Sequence, residues 1–146
     1  MSSYLSDDVK ITRVIDALAD GQGTTTSSNV DMAGYDGVVF VCLIGDVTAT
    51  GTVTMTATQA ATDTTGDALS GMSAAADSDD DDLLLAIDIQ KPADRYLGVS
   101  LVRAVANSVV GGVIALQYKA RSLPVTQPTT AGFAATVVQG ATPDEA

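Results

Sequence analysis

From Thr52 to Thr58 every second residue is a threonine, and Val53, Met55, Ala57 and Gln59 fill the alternate places. A backbone with a two-residue repeat sends these sets to opposite faces, which predicts a β-strand with one hydroxylated and one largely apolar side. A helix would scatter both sets around its circumference. The same preference runs through the chain, where valine and threonine recur; both are stiff at χ1 and fit a pleated surface. Apolar residues make up 46% of the sequence but aromatic residues only 4%. The rings are Tyr4, Tyr35, Phe40, Tyr96, Tyr118 and Phe133. A core of valine, alanine and leucine with so few rings is thin, so help from neighbouring subunits is expected.

Other segments extend the pattern. Val9, Ile11, Arg13 and Ile15 alternate with Lys10, Thr12 and Val14, predicting a half-exposed strand. Asp20-Gly21-Gln22-Gly23 is expected to break the chain, and 24–29 to form a Thr/Ser loop. The apolar run from Val38 to Ile44 predicts a strand covered on both faces. Residues 60–82 read as a long surface loop with room for a short helix at 71–76. A strand from Leu83 to Gln90 stops at Lys91-Pro92, and 96–105 alternates with Leu97, Val99, Leu101 and Arg103 on one face. Asn107 is a turn candidate before a last strand at 109–120, with a bulge or bend at Gly111-Gly112. No repeat of fixed period is present. The expected fold is all-β: a single-domain β-sandwich at 9–125, jelly-roll-like, with an N-terminal arm at 1–8 and a C-terminal arm at 126–146. The arms are expected to order by lying on a partner.

Charge and residue usage exclude several functions. Eighteen acidic residues against seven basic ones give a net charge of −11, which opposes nucleic-acid binding through phosphate contacts. With no histidine there is no imidazole metal site and no Ser–His or Cys–His relay. Gly21-Gln22-Gly23 lacks the third glycine and the helix of a dinucleotide loop. The carboxylates cluster in polar loops, where nothing separates their pKa values for acid/base work. The expectation is a protein that is not an enzyme and carries no cofactor. The single cysteine, Cys42, sits in the apolar run and reads as core. The first residues carry no basic or apolar leader pattern, and no stretch reaches the ~20 apolar residues that span a bilayer. No membrane association is expected.

Two charged groups merit separate reading. Asp77, Asp79 and Asp81 have the alternate spacing of a calcium loop, with Asp88 at the twelfth place, but Asp82 stands where such a loop needs glycine. The run reads as a solvated acidic loop, with weak divalent-cation binding by Asp77, Asp79 and Asp81, at a contact between subunits, as the alternative. Arg95, Arg103, Lys119 and Arg121 all fall in the last two strands or their edges. They are candidate partner-binding residues on a less acidic face, with charge balancing inside the sheet as the alternative. Glycan binding would need stacking rings, yet no Tyr or Phe lies between Val41 and Arg95. Tyr96 and Tyr118 are the ring candidates, and core packing is the plainer role for both.

The segments Lys10-Ile11-Thr12-Arg13-Val14-Ile15-Asp16, Asp31-Met32-Ala33-Gly34-Tyr35-Asp36-Gly37-Val38-Val39-Phe40 and Arg95-Tyr96-Leu97-Gly98-Val99, with the strand and Pro-bearing exit at 107–124, resemble auxiliary head proteins of tailed bacteriophages. These are the capsid decoration or cement proteins, and the resemblance covers about residues 9–125. It implies a β-rich virion structural protein, often a homotrimer, made in the bacterial host cytoplasm and placed on the outer capsid surface. Its partners would be the major capsid protein and further copies of itself. Two other readings share the composition: a head–tail connector, neck or tail-completion protein, and a glycan-binding β-sandwich module.

Overall fold

The computed structural model describes residues 4–130 and 132–140. One helical turn, α1 (Leu5–Asp8), precedes eight strands. These are β1 (Lys10–Ile15), β2 (Leu18–Thr26), β3 (Val30–Asp31), β4 (Gly37–Val47), β5 (Thr52–Ala60), β6 (Asp67–Asp77), β7 (Leu84–Gln90) and β8 (Tyr96–Tyr118). All eight join in one sheet whose pairings are antiparallel. The fold is all-β, a single curled sheet.

Strand β8 organises the sheet. Along one edge it pairs with β3 at Tyr96 and Leu97, with β2 between Ser100 and Val110, and with β1 between Val113 and Gln117. Along the other edge it pairs with β5 from Tyr96 to Ala104 and with β4 from Ser108 to Tyr118. β6 extends the sheet beyond β5, and β7 extends it beyond β4. β8 is 23 residues long and not straight. Val105 has φ +71° and Gly112 φ +113°, and the ladder to β4 skips Gly111 between Gly112 and Val110. The extra residue and the left-handed backbone turn the strand, so its two halves curl toward each other.

The curl gives the sheet an inside. Val53, Met55 and Ala57 of β5 and Leu97, Val99 and Leu101 of β8 are fully buried from one half. Val38, Phe40 and Cys42 of β4 with Val113 and Ala115 of β8 are fully buried from the other, and all belong to one apolar cluster. Phe40 is the only aromatic ring among the buried core residues. In β1 the inward residues are Thr12 and Val14, and a register shift adds Ile15.

The threonine strand follows its expected alternation as far as Ala57, with Thr52, Thr54 and Thr56 half-exposed and Val53, Met55 and Ala57 buried; beyond it Thr58 is buried and Gln59 half-exposed. Four expectations need correction. The Asp20–Gly23 break and the loop at 24–29 are instead mostly β2, which absorbs its glycines in two register shifts against β8. The long loop at 60–82, with its short helix, holds β6, whose mostly exposed face left no apolar signal. Asn107 does not turn the chain, because β8 continues through it. The run at 38–44 is covered on one face only: Val39 and Val41 are half-buried and Leu43 is 51% exposed.

The described C-terminal segment lies on the chain's own N-terminus. Ile11 N donates to Gln127 Oε1 at 2.8 Å, and Gln127 Nε2 donates to Ser6 O and Val9 O at 2.8 and 2.7 Å. Val125 N donates to Asp7 O at 2.9 Å. Gln139 Nε2 reaches Ser6 Oγ and Asp7 Oδ1, each at 2.8 Å.

A Cβ on Gly112 would stand 2.8 Å from Ile15 O, at a φ that L residues avoid. Gly112→Ala should therefore destabilise the fold by about 1–3 kcal/mol in chemical denaturation. Gly140→Ala, with nothing within 4 Å, should stay within about 0.5 kcal/mol of the parent. Burial pushes the Cys42 thiol up to about 11. It should resist a thiol-specific chromogenic reagent at mildly alkaline pH in native protein and react at once in denaturant.

Candidate functional site

The outer face of the β4 half is the most conspicuous surface. Register places Leu84 opposite Leu43, Ala86 opposite Val41, and Asp88 opposite Val39 on the β7 side. On the other side Val41 faces Ile114 and Val39 faces Leu116, and Leu116 in turn faces Ile11 of β1. These side chains share one face because same-row neighbours on a sheet point the same way. Leu84 is 58% and Leu43 51% exposed. At the Leu116 end the terminal segments overhang the sheet and enclose an apolar groove of about 610 Å³, lined by Leu5, Val9, Ile11, Val39, Leu116 and Val138 among others. The apolar surface runs continuously across the outer faces of β4, β7 and the second half of β8.

The border of that face is polar. Tyr118 Oη donates to Asp88 Oδ1, and its ring covers Gly37, where a Cβ would overlap the ring. Burial and this hydrogen bond raise the Tyr118 pKa. Tyr96 lies half-exposed beneath the Arg95 guanidinium, 5.3 Å from the ring centroid. Neither ring is a core residue.

The basic candidates divide into two places. Arg95 and Arg121 meet at one end of the molecule, around a shallow depression that also takes in Lys91, Tyr35 and Asp36. Arg95 donates from Nε and Nη2 to the two carboxylate oxygens of Asp31, both at 2.8 Å, and Arg121 Nη2 lies 3.0 Å from Asp36 Oδ1. Lys119 is exposed one residue beyond β8, with φ +52°. Arg103 stands apart at the bend of β8, where Nη1 donates to Ala19 O and Ser108 O at 2.7 and 2.8 Å. It fastens the bend. Lys91 was not singled out from sequence; the signal was its place at the β7 stop, next to Arg95 through the turn.

The acidic run closes the turn between β6 and β7. Asp77 Oδ1 accepts from Asp79 N, Asp80 Oδ2 from Asp77 N, and Asp81 Oδ1 from Val47 N. Asp88 lies down β7 on the Tyr118 border. Among the described residues no three His, Cys, Asp or Glu side chains are grouped to hold a metal ion.

Compared with known proteins, the chain matches no family model and no curated sequence.

The two-point hydrogen bond from Arg95 holds the Asp31 carboxyl below its ordinary 3.8, with the Ala33 N–H helping and burial opposing. A carboxyl with a lower pKa in the folded state stabilises folding above its unfolded value, and that contribution is lost as pH falls through the lowered value. Arg95→Gln should melt earlier than the parent at neutral pH, and the gap should close as thermal melts are taken to about pH 2.

Proposed function

We propose that the chain is a structural virion protein that decorates the outside of a tailed-phage capsid and bridges neighbouring major capsid subunits. The observation that carries this reading is the open apolar face of Val39, Val41, Leu43, Leu84, Ile114 and Leu116. A sheet face exposing this much hydrocarbon is built for contact with protein, and the resemblance of the 10–16, 31–40 and 95–99 segments to capsid decoration proteins names the partner class. The clasped termini support it as well, since they form one wall of the same groove. Within this proposal the two facing halves of the curled sheet make a sandwich-like, jelly-roll-related body, and three copies associate into a homotrimer. The protein acts without catalysis or cofactor, is made in the host cytoplasm and resides on the capsid surface. Net charge of −11 keeps it off DNA and disperses unassembled copies.

Quantitative mass spectrometry of purified particles should find about one-third to one copy per major capsid subunit, as a shell lattice requires. About a dozen copies would place the chain in a neck or tail ring instead, and absence from particles would overturn the virion reading. The double variant Leu43→Asp, Leu84→Asp should lower particle occupancy at least about tenfold, because a desolvated apolar centre dominates such interfaces. Its melting temperature should hold, since both side chains are exposed in the isolated chain.

A further inference from the structure

A second, polar groove of about 640 Å³ lies away from the apolar face. Its walls come from five stretches of chain: Lys10 and Thr12 of β1, residues 27–31 running into β3, the loop at 63–65, Gln117 of β8, and the C-terminal segment carrying Thr130 and Phe133. Small-molecule sites fall in the range of about 300–1,000 Å³ and pair a few placed polar groups with apolar contact. We propose that this groove binds a neutral saccharide, one or two sugar rings long.

The chemistry of the lining selects that class. Thr12 and Gln117 meet the groove from the core side of the sheet and are 9% and 1% exposed. Gln117 Nε2 donates to Asp31 O at 2.8 Å, whereas among the described residues the buried Thr12 Oγ1 has no hydrogen-bond partner. A hydroxyl at that depth is satisfied by a hydroxyl arriving from the groove after a χ1 turn of Thr12. On the wall, Asn29 Nδ2 donates to Asp63 Oδ1 at 3.0 Å and to Thr64 O at 2.8 Å, which fixes the 63–65 loop against the groove. Among the described residues Asp63 Oδ2 receives no hydrogen bond, so a planar carboxylate is held in place with an acceptor to offer. Phe133 supplies the apolar ring, against which the C–H face of a sugar packs.

Other ligand classes fit less well. An anion meets one ammonium, Lys10, against the carboxylates of Asp31 and Asp63. A cation meets Asp63 with Asp31 already committed to Arg95 at 2.8 Å on both oxygens. A hydrocarbon would cover the exposed Asp63 carboxylate and the Thr64 and Thr65 hydroxyls and strand their polar atoms. A neutral ligand with many hydroxyls and a hydrocarbon face uses every part of the lining.

The test is an array of immobilised neutral and anionic mono- to trisaccharides probed with the full chain, followed by titration calorimetry with the strongest neutral hit. Amide shifts of 15N-labelled protein would be followed in the same titration. The expected result is millimolar-range or tighter binding to a neutral sugar, with shifts centred on Thr12, Asn29 and Thr65. Phe133→Ala and Asp63→Asn should each weaken it at least tenfold while leaving the melting temperature in place, since one side chain sits on the terminal segment and the other on an exposed loop. An array without neutral hits overturns the proposal, as does binding only to anionic sugars or binding that both variants retain. Particle copy number is unaffected by any of these outcomes, so this proposal and the capsid reading fail separately.

Discussion

A strand has two edges, and β8 must serve five partners with them. It does so by length, lending successive stretches of one edge to β3, β2 and β1 and of the other to β5 and β4. At ~3.3 Å per residue a straight strand of that length would run about 75 Å. A compact chain of this size is roughly 35–40 Å across. The hydrogen-bond ladder therefore forces a bend, and the curl of the sheet, the enclosed core and the separation of an inner from an outer face all follow from it. Arg103 ties Ala19 O to Ser108 O beside that bend, and Gly112 lets Ile15 approach where a side chain could not.

What sequence made legible depended on burial. The β5 alternation and the inward set Leu97, Val99 and Leu101 were readable because apolar and polar residues must separate when one face is covered. β2 and β6 were not, because most of their side chains remain in water and only Leu18 on β2 and Leu69, Ala74 and Ala76 on β6 reach the core. Glycine and aspartate in such strands look like turns. The run at 38–44 misled in the opposite direction: continuous hydrocarbon suggested two covered faces, and the structure leaves one of them open. That discrepancy between composition and burial is what the proposed capsid contact rests on. Arg95 and Arg121 were readable as basic residues near the sheet ends, but their meeting with Lys91 needed the fold. The polar groove joins residues from Lys10 to Phe133 and has no local signature at all.

Electrostatics and apolar contact have distinct roles in this molecule. Arg13, Arg95 and Arg121 are engaged by Asp16, Asp31 and Asp36, so the basic residues mostly organise their own chain. The exposed remainder is acidic, and copies repel one another at long range. Screening shortens that repulsion to ~8 Å at physiological ionic strength. Under the proposed capsid role, attraction is left to the short-ranged apolar face.

The clasp between the chain ends has a mechanical consequence. β1 begins at Lys10 opposite Gln117, one residue from the end of β8, so both ends of the chain leave the sheet at the same margin. Tension applied between the two ends loads the bonds of Gln139, Gln127 and Val125 first and then the β1–β8 ladder from its open end. Antiparallel neighbours pulled from a shared end part by peeling, one hydrogen bond after another, instead of sharing the load in shear. Tethered through its termini, the protein is a weak link that opens gradually; held through its sheet face, with both ends slack, the same body bears load as a rigid plate.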